Sequence, residues 1–292
     1  IIFLIEYFND KVKSKNDISR ITATPILGEI GHAEESNTLI VTGNNRSYIA
    51  EQFRIVRSNL QYILPKNENP VILVTSSFSG EGKSFISTNL GAVLALSGKR
   101  TVILEMDIRK PKILKGLGMN ERRGVTNYLV SNNIQANDIV YPVTETENLF
   151  VIPCGPVPPN PAEILLDDKL GTLFVELKKQ FDAIIIDSAP IGLVSDAITL
   201  GKQANACVYI VRHNYTRKKQ VQLIDDLYTH KKLPHLSVVI NDISSRGSHG
   251  YGYGYGYGYG DGYGYGGSHK KSNGYFEGAS PPRKWWWPFA KK

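Results

Sequence analysis

The chain has 292 residues, of which 41% are hydrophobic, so it is long enough for one sizeable core with appended segments. Its two cysteines, Cys154 and Cys207, are too few for a disulfide framework and have no partners at metal-ligand spacing. The net charge of +7 is uneven: residues 244–292 hold seven basic and two acidic side chains, so this end carries +5 and favours an anionic partner such as phosphate, lipid headgroups or nucleic acid.

The chain opens with five apolar residues, 1–5, followed by a lysine-containing stretch at 10–15. A transmembrane helix needs about 20 apolar residues, so these five cannot span a bilayer. Two interpretations stay open at this point: the start of a buried strand or helix, or the last part of a transmembrane helix whose lysines lie on the cytoplasmic side.

Residues 46–243 alternate short apolar runs with amphipathic stretches. The runs are continuous rather than alternating, which is typical of strands buried on both faces of a parallel sheet. The predicted strands cover residues 71–75, 101–104, 149–152, 183–187, 206–211 and 236–241. The predicted helices cover residues 47–64, 84–97, 162–180, 194–203 and 217–231. This order predicts an α/β fold, a doubly wound and mostly parallel sheet with helices on both faces.

A phosphate-binding loop follows the first predicted strand. Residues 77–84 fit the pattern G-x-x-x-x-G-K-[ST], with Ser77 in place of the first glycine. A glycine-rich turn at a helix N-terminus directs backbone N–H groups and the helix dipole towards one anion. Lys83 is expected to reach the β- and γ-phosphates, and the Ser84 hydroxyl to ligate Mg²⁺. The predicted nucleotide-binding residues of this loop are Ser79, Gly80, Glu81, Gly82, Lys83, Ser84 and Phe85.

Acidic residues follow two predicted strands at the edge where α/β sheets bind ligands. Asp187 ends one strand, and Glu105 and Asp107 follow another. Either position alone would suit a helix cap or a turn, but beside a phosphate-binding loop they favour a catalytic site, with Asp107 accepting the proton of the attacking hydroxyl. The catalytic candidates are Lys83, Asp107, Arg109 and Asp187; the metal candidates are Ser84, Glu105, Asp107 and Asp187; the candidates for adenine contacts are Arg212 and Asn241.

The last region, residues 244–292, cannot build a core and is expected to be a disordered tail. From 250 to 267 it repeats Tyr-Gly almost strictly, and glycine at alternate positions is entropically costly to order. It suits either a flexible substrate with many equivalent hydroxyls or a low-complexity segment that self-associates or stacks on nucleic acid, and the phosphate-binding loop favours the substrate. The candidate phosphoacceptors are Tyr251, Tyr253, Tyr255, Tyr257, Tyr259, Tyr263, Tyr265 and Tyr275.

Together these motifs resemble the bacterial tyrosine kinases of capsule and exopolysaccharide export. The resemblance covers most of the chain: residues 80–84 match Walker A, 105–111 an additional Walker A′ box, 186–190 Walker B and 153–161 a proline-rich loop. The tyrosine cluster is the most distinctive match. Ser77 in the first glycine position is common in this family. Glu105 stands where the family usually has an aspartate, which keeps a carboxylate one methylene longer and implies a metal contact through water.

The resemblance implies an ATP- and Mg²⁺-dependent protein-tyrosine kinase that phosphorylates its own tail in trans within a ring of subunits, which phosphorylation loosens. Glu51, Arg54 and Arg57 look like the family's E-x-x-R-x-x-R subunit contact, although their spacing alone favours a solvated helix face. Further implications are partners in polysaccharide polymerisation and export, a tyrosine phosphatase, and no nucleic acid.

The same resemblance implies a place at the cytoplasmic face of the bacterial inner membrane. Residues 1–45 are then a juxtamembrane segment with the end of a transmembrane helix, 46–243 the kinase domain, and 244–292 the tail. The final residues, 281–292, place four aromatics among basic side chains, a composition that suits either an anionic bilayer surface or docking on the protein itself.

The alternative function is a switch ATPase of the partitioning or cell-division type, with a deviant Walker A loop and a tail that serves as a binding element. Those proteins carry an extra lysine near the start of the loop, where this chain has Phe78. That difference and the tyrosine-rich tail argue against this alternative.

Overall fold

The computed structural model of the chain describes residues 10–33, 38–43, 47–65 and 69–244. The predictions for residues 1–9, for the eight candidate phosphoacceptors and for the aromatic end at 281–292 lie outside these residues. No helix among the described residues has both the length and the apolar character needed to cross a membrane.

The described residues form an eight-stranded sheet whose spatial order is β1-β8-β7-β2-β6-β3-β5-β4. All neighbouring strands are parallel except β4, which runs antiparallel to β5 at one edge. The strands are β1 (Ile26–Gly31), β2 (Val71–Ser76), β3 (Thr101–Met106), β4 (Tyr141–Pro142), β5 (Leu149–Ile152), β6 (Ala183–Ser188), β7 (Ala206–Arg212) and β8 (Leu236–Ile243). The six predicted strands are therefore confirmed, and β1 and β4 are additions.

Helices cover both faces of the sheet, as the doubly wound prediction requires. The helices are α1 (Lys15–Ser19), α2 (Tyr48–Ile63), α3 (Lys83–Ala95), α4 (Ile113–Gly116), α5 (Val125–Val130), α6 (Pro161–Ile164), α7 (Asp168–Gln180), α8 (Asp196–Gly201) and α9 (Lys218–Thr229), with a 3-10 turn at Ala136–Ile139. Helices α2 and α3 build the core on one face, and α5, α7, α8 and α9 build it on the other. The residues of β2 are fully buried. Ile72 faces the core formed with α2 and α3, and Leu73 faces the core formed with α5, α7, α8 and α9.

The helix predicted over residues 162–180 is in fact two helices, α6 and α7. Asp167 separates them, because its side chain accepts a hydrogen bond from the Lys169 N–H at 2.8 Å and so begins α7 as an N-cap. Side chains that compete for backbone hydrogen bonds favour such a boundary over a continuous helix. The prediction of one long helix was therefore wrong at this point.

The sheet also begins earlier than the predicted domain start at residue 46. Strand β1 pairs in parallel with β8, and its Leu27 and Ile30 are buried against α2. Strand β1 was not predicted because glycines interrupt its apolar residues, whereas the predicted strands are continuous apolar runs. Gly28 is needed for close packing, since a Cβ there would come within 2.8 Å of Val56 on α2. Residues 10–33 therefore belong structurally to the same α/β fold as the sheet.

Candidate functional site

The turn between β2 and α3 forms the phosphate-binding loop that the sequence predicts. Gly80 and Gly82 both adopt left-handed backbone conformations, with φ of 92° and 97°. Gly82 precedes the first residue of α3 and has no side chain to cap the helix, so the first N–H groups of α3 remain available to an anion. A Cβ at Gly82 would lie 2.1 Å from Asn241 Nδ2, which explains why this position needs glycine.

The Walker B candidate, Asp187, is fully buried at the end of β6 beside this loop. Its Oδ2 accepts a hydrogen bond from the Ser84 hydroxyl at 2.8 Å, and its Oδ1 accepts one from the Ser87 hydroxyl at 2.9 Å. Burial raises the pKa of the Asp187 carboxyl to about 7, against the opposing effects of Lys83 and the two hydroxyls. A cation bound beside Asp187 and Ser84 would stabilise the charged form of this buried carboxyl.

The second predicted carboxylate, Asp107, faces the same loop from the end of β3. Its Oδ2 lies 3.9 Å from Lys83 Nζ, and its Oδ1 accepts a hydrogen bond from the Lys110 N–H at 3.2 Å. Burial raises the pKa of Asp107, while the charges of Lys83 and Lys112 act in the opposite direction. Lys83, Ser84 and Asp107 line one cavity of about 280 Å³, and Asp187 joins them through its hydrogen bond with Ser84, so the structure brings these four candidates together.

A second cavity of about 290 Å³ adjoins the first, since both are lined by Thr38, Gly80, Gly82 and Phe85. The adenine candidates Arg212 and Asn241 lie in its wall, and both also support the loop. The Arg212 guanidinium donates to the Gly80 carbonyl at 2.7 Å, and the Asn241 amide donates to the Glu81 carbonyl at 3.0 Å. The two compartments adjoin at the loop, and the contact of Arg212 and Asn241 with adenine remains a prediction.

Glu81 does not contact this cavity, although it belongs to the predicted nucleotide-binding stretch. Its carboxylate is buried on the other side of the loop, where it accepts hydrogen bonds from the Phe78 N–H at 2.7 Å and from the Thr216 hydroxyl. Burial raises its pKa, and these two donors oppose that rise. Glu81 therefore stabilises the shape of the loop. The prediction that its side chain contacts the nucleotide was wrong, because that side chain points away from the cavity.

Glu105 is also placed differently from its predicted role as a metal ligand. Its Oε1 accepts hydrogen bonds from the Lys112 and Ile113 N–H groups, both at 2.5 Å, and its Oε2 accepts one from the Cys154 N–H at 3.3 Å. The side chain is 1% exposed and lies under the start of α4 rather than in the phosphate cavity. Because backbone N–H groups occupy both oxygens, Glu105 acts as a structural link and not as a ligand for Mg²⁺.

Arg109, a catalytic candidate, lies at the rim of the site. Its Nε is 3.4 Å from the Oδ2 atom of the buried Asp196 at the start of α8, and its side chain is 40% exposed. It does not line either of the two nucleotide cavities. A catalytic role for Arg109 remains a prediction.

The three residues of the predicted subunit contact occupy α2, but they do not share one role. Arg54 forms an ion pair with Glu51 at 2.7 Å on the outer part of the helix. The Arg57 guanidinium instead donates to the Val93 carbonyl near the end of α3 at 3.2 Å. Arg57 therefore joins α2 to the loop-bearing helix of its own chain, and the contact to a neighbouring subunit remains a prediction for Glu51, Arg54 and Arg57.

Sequence reasoning missed several residues of the site. His32, Thr38 and Asp242 line the nucleotide cavities, and Lys112 lies beside Asp107. Asp242 follows the predicted strand 236–241 directly, so the rule that ligands bind at the carboxyl ends of strands would have found it. His32 and Thr38 come from a region without periodic pattern, where the sequence offers no such signal.

Comparisons with known proteins agree with this geometry. Residues 72–252 match the family of the CobQ/CobB/MinD/ParA nucleotide binding domain. CapB of Staphylococcus aureus is 33% identical over 203 residues, which are 70% of this chain and 88% of CapB. The tyrosine-protein kinase CpsD of Streptococcus agalactiae is 32% identical over 196 residues, 66% of this chain and 82% of CpsD. The crystal structure of the chimerical protein CapA2B2 has a TM-score of 0.72 and 30% identity, covering 80% of this chain and all of the chimera.

Proposed function

The chain belongs to the bacterial protein-tyrosine kinases, and on that premise we propose that it uses Mg²⁺-bound ATP to phosphorylate tyrosines of its own C-terminal tail. The observation that carries the proposal is the convergence of Lys83, Asp107 and Asp187 on one glycine-rich loop, in a chain that ends in a tyrosine cluster. The loop would bind the nucleotide, and the tyrosines of the cluster would accept the phosphate.

The residues of the loop fit the triphosphate of ATP. The uncapped N–H groups at the start of α3 would bind phosphate oxygens, and Lys83 would pair with the β- and γ-phosphates. Ser84 and Asp187 would hold Mg²⁺, which neutralises phosphate charge when bound. Among the described residues no group of three or more His, Cys, Asp or Glu side chains is arranged to hold a metal alone, so the phosphates and water would complete the coordination.

Asp107 is the group that would receive the proton in the transfer step. A bond forms between the tyrosine oxygen and the γ-phosphorus, the bond from that phosphorus to the β,γ-bridging oxygen breaks, and the phenolic proton passes to the Asp107 carboxylate. Burial favours proton uptake by Asp107, and Lys83 at 3.9 Å keeps the carboxylate oriented towards the loop. ADP and a phosphotyrosine are the products.

We propose that the transfer occurs between subunits of a ring. The tail of one chain enters the site of the next, and Glu51, Arg54 and Arg57 help to form the contact between subunits. Each phosphate adds about −1.5 to −2 charges, so several of them would reverse the tail's charge of +5 and weaken its place in the ring. This cycle would regulate capsular or exopolysaccharide polymerisation and export at the cytoplasmic face of the inner membrane, with a tyrosine phosphatase resetting it.

The test is to incubate the full chain with Mg²⁺ and ATP and to locate modified residues by mass spectrometry. Phosphotyrosine at positions 251–275, absent from a Lys83→Met control, is the expected result. ATP hydrolysis with no phosphotyrosine would instead favour the switch ATPase. To decide whether transfer occurs in trans, a Lys83→Met chain is mixed with an active chain whose tail tyrosines are changed to phenylalanine, and labelling of the Lys83→Met tail is expected.

A further inference from the structure

A groove of about 720 Å³ lies beside the phosphate cavity, and the functions assigned so far leave it without a ligand. One wall is formed by α4 and the loop that follows it up to Arg122, and the other by the turn at residues 154–157. This volume lies within the range of about 300–1,000 Å³ that is typical of ligand sites.

The walls of the groove are fixed to each other at its base. Glu105 accepts hydrogen bonds from two N–H groups of the first wall, at Lys112 and Ile113, and from the Cys154 N–H of the second wall. The Thr126 hydroxyl and N–H also donate to the Cys154 carbonyl, at 3.0 and 2.9 Å. Because its base is hydrogen-bonded on both sides, the groove is a preformed surface rather than a gap between loose loops.

The groove opens onto the reaction site. Lys112 lines both the groove and the phosphate cavity, and that cavity also contains Lys83 and Asp107. A chain segment whose tyrosine reaches Asp107 would therefore continue along the groove past Lys112.

Cationic side chains dominate the rim of this groove. Lys112, Lys115 and Arg122 are all exposed there, whereas Glu121 is the one exposed acid among its lining residues. Neither Lys112 nor Lys115 forms an ion pair with any carboxylate that the structure describes. The surface therefore complements an anion, and the unmodified Tyr-Gly repeat at residues 250–260 offers none, because it contains no charged side chain.

The repeat in the tail supplies such an anion once a tyrosine is phosphorylated. In an extended chain alternate residues lie about 6.7 Å apart and point to the same side, so successive tyrosines of the Tyr-Gly repeat share one face. With one tyrosine at Asp107, its neighbours would lie along the groove near Lys112 and Lys115.

Resting on the proposed function, we propose that this groove is a phosphotyrosine-binding subsite, which holds an already phosphorylated part of a neighbouring copy's tail while the next tyrosine is modified. The first phosphate would then promote the following ones, since a phosphotyrosine presents about two negative charges and three acceptor oxygens to lysine and arginine side chains.

The test uses two labelled synthetic peptides with the sequence of residues 251–259, one unmodified and one phosphorylated at Tyr255. Their binding to the full-length Lys83→Met chain, whose own tail stays unphosphorylated, is measured by fluorescence anisotropy. The phosphorylated peptide is expected to bind about tenfold more tightly. Lys115→Gln and Arg122→Gln should each reduce this preference by up to about fivefold, the upper end of the range for an exposed charge pair. Lys115→Arg and the distant Lys179→Gln should leave it unchanged.

Rates of transfer by the active full chain separate this inference from the proposed function. Faster phosphorylation of the primed peptide supports the subsite, whereas equal binding and equal rates for both peptides would overturn it and leave the kinase assignment intact. Phosphate-dependent binding by a protein that phosphorylates neither peptide would remove the proposed function and retain the binding site. Lys115-dependent binding of anionic lipid vesicles, without preference for the phosphopeptide, would assign the groove to headgroups and overturn the inference.

Discussion

At the scale of single residues, Glu105 and Asp107 lie two positions apart but have different surroundings. Glu105 is still within β3 and turns beneath α4, where backbone N–H groups replace the water that it loses on burial. Asp107 follows the end of the strand and faces Lys83. The alternation of strand side chains no longer applies beyond Met106, so a pair of acids with this spacing divides into a structural residue and a reactive one.

The Glu105 link can be tested by removing its acceptors. Glu105→Ala leaves the N–H groups of Lys112, Ile113 and Cys154 without their partner, and each unsatisfied buried group costs roughly 1–3 kcal/mol. The Ile113 and Cys154 bonds are buried and the Lys112 bond is only partly buried, so we expect the free energy of unfolding to fall by about 2–6 kcal/mol, measured by urea denaturation. Glu105→Gln keeps one acceptor oxygen and should lose only about half of that. A variant Glu105→Ala as stable as the parent would contradict the structural role.

The neighbouring thiol gives a prediction about pH. Burial raises the pKa of Cys154 to about 12, and the carboxylates of Glu105 and Asp107 act in the same direction. Because only the thiolate is nucleophilic, iodoacetamide should leave Cys154 unmodified in the native protein at about pH 8–9 and alkylate it after denaturation. Peptide mass mapping measures the difference, and rapid native alkylation would show that the thiol is accessible and ionised.

At the scale of elements, the phosphate-binding loop depends on segments that are distant in sequence. The loop after β6 approaches it closely, with the Ile191 N–H donating to the Ser76 carbonyl at 2.9 Å. The turn after β7 approaches it from the other side, with the Tyr215 hydroxyl donating to the Ser79 carbonyl at 3.0 Å and Thr216 bonding to Glu81. The loop is thus held between two elements and can meet the phosphates without rearranging.

Substitution of Gly192, in the loop after β6, tests how closely that loop approaches the phosphate-binding loop. A Cβ there would lie 2.4 Å from the Ser77 carbonyl oxygen, so Gly192→Ala must displace the start of the loop. Overpacking of this kind costs about 1–3 kcal/mol. Because this cost opposes the phosphate-binding shape of the loop, the affinity for Mg²⁺-ADP should fall by up to roughly five- to 150-fold, measured by titration calorimetry. Gly171→Ala on α7 is the matched control, because its Cβ would meet nothing closer than 4.0 Å. Unchanged affinity in Gly192→Ala would contradict this packing.

The N-terminal segment makes a second prediction at this scale. Residues 10–33 bury Val12, Ile18, Leu27 and Ile30, and the Val12 backbone exchanges hydrogen bonds with Thr216 and Asn214 at 2.8 and 2.9 Å. Burial of one such side chain contributes about 1.5–3 kcal/mol, so four approach the whole stability of a domain. A chain that starts at residue 46 should therefore aggregate or unfold at a lower temperature than one that starts at residue 10, as measured by circular dichroism.

At the scale of the whole molecule, the core and the tail have separable tasks. Among the described residues, those before 244 form a buried core on each face of the sheet. We expect a chain ending at residue 244 to keep its unfolding temperature within a few degrees and to bind Mg²⁺-ADP normally, while losing self-phosphorylation. It should still phosphorylate a separate tail peptide, and failure to bind nucleotide would show that the tail contributes to the site.

The strands of the sheet core, the glycine-rich loop and the carboxylates at strand ends can all be predicted from the amino-acid sequence. These features follow from local patterns: continuous apolar runs need burial on both faces, and glycine, lysine and serine at fixed spacing suit a phosphate. Asp107, Asp187, Lys83 and Ser84 are therefore found where the sequence predicted a common site.

Contacts between distant segments of the folded chain determine which polar groups already have hydrogen-bond partners and which remain available to a ligand. Glu81, Glu105 and Arg57 each match a functional motif, yet their partners come from Thr216, Cys154 and Val93, which are distant in the chain. The same holds for β1, whose place depends on pairing with the last strand, β8. Hydrogen bonds and strand pairs between distant segments produce no local pattern in the sequence, so they are visible only in the tertiary structure.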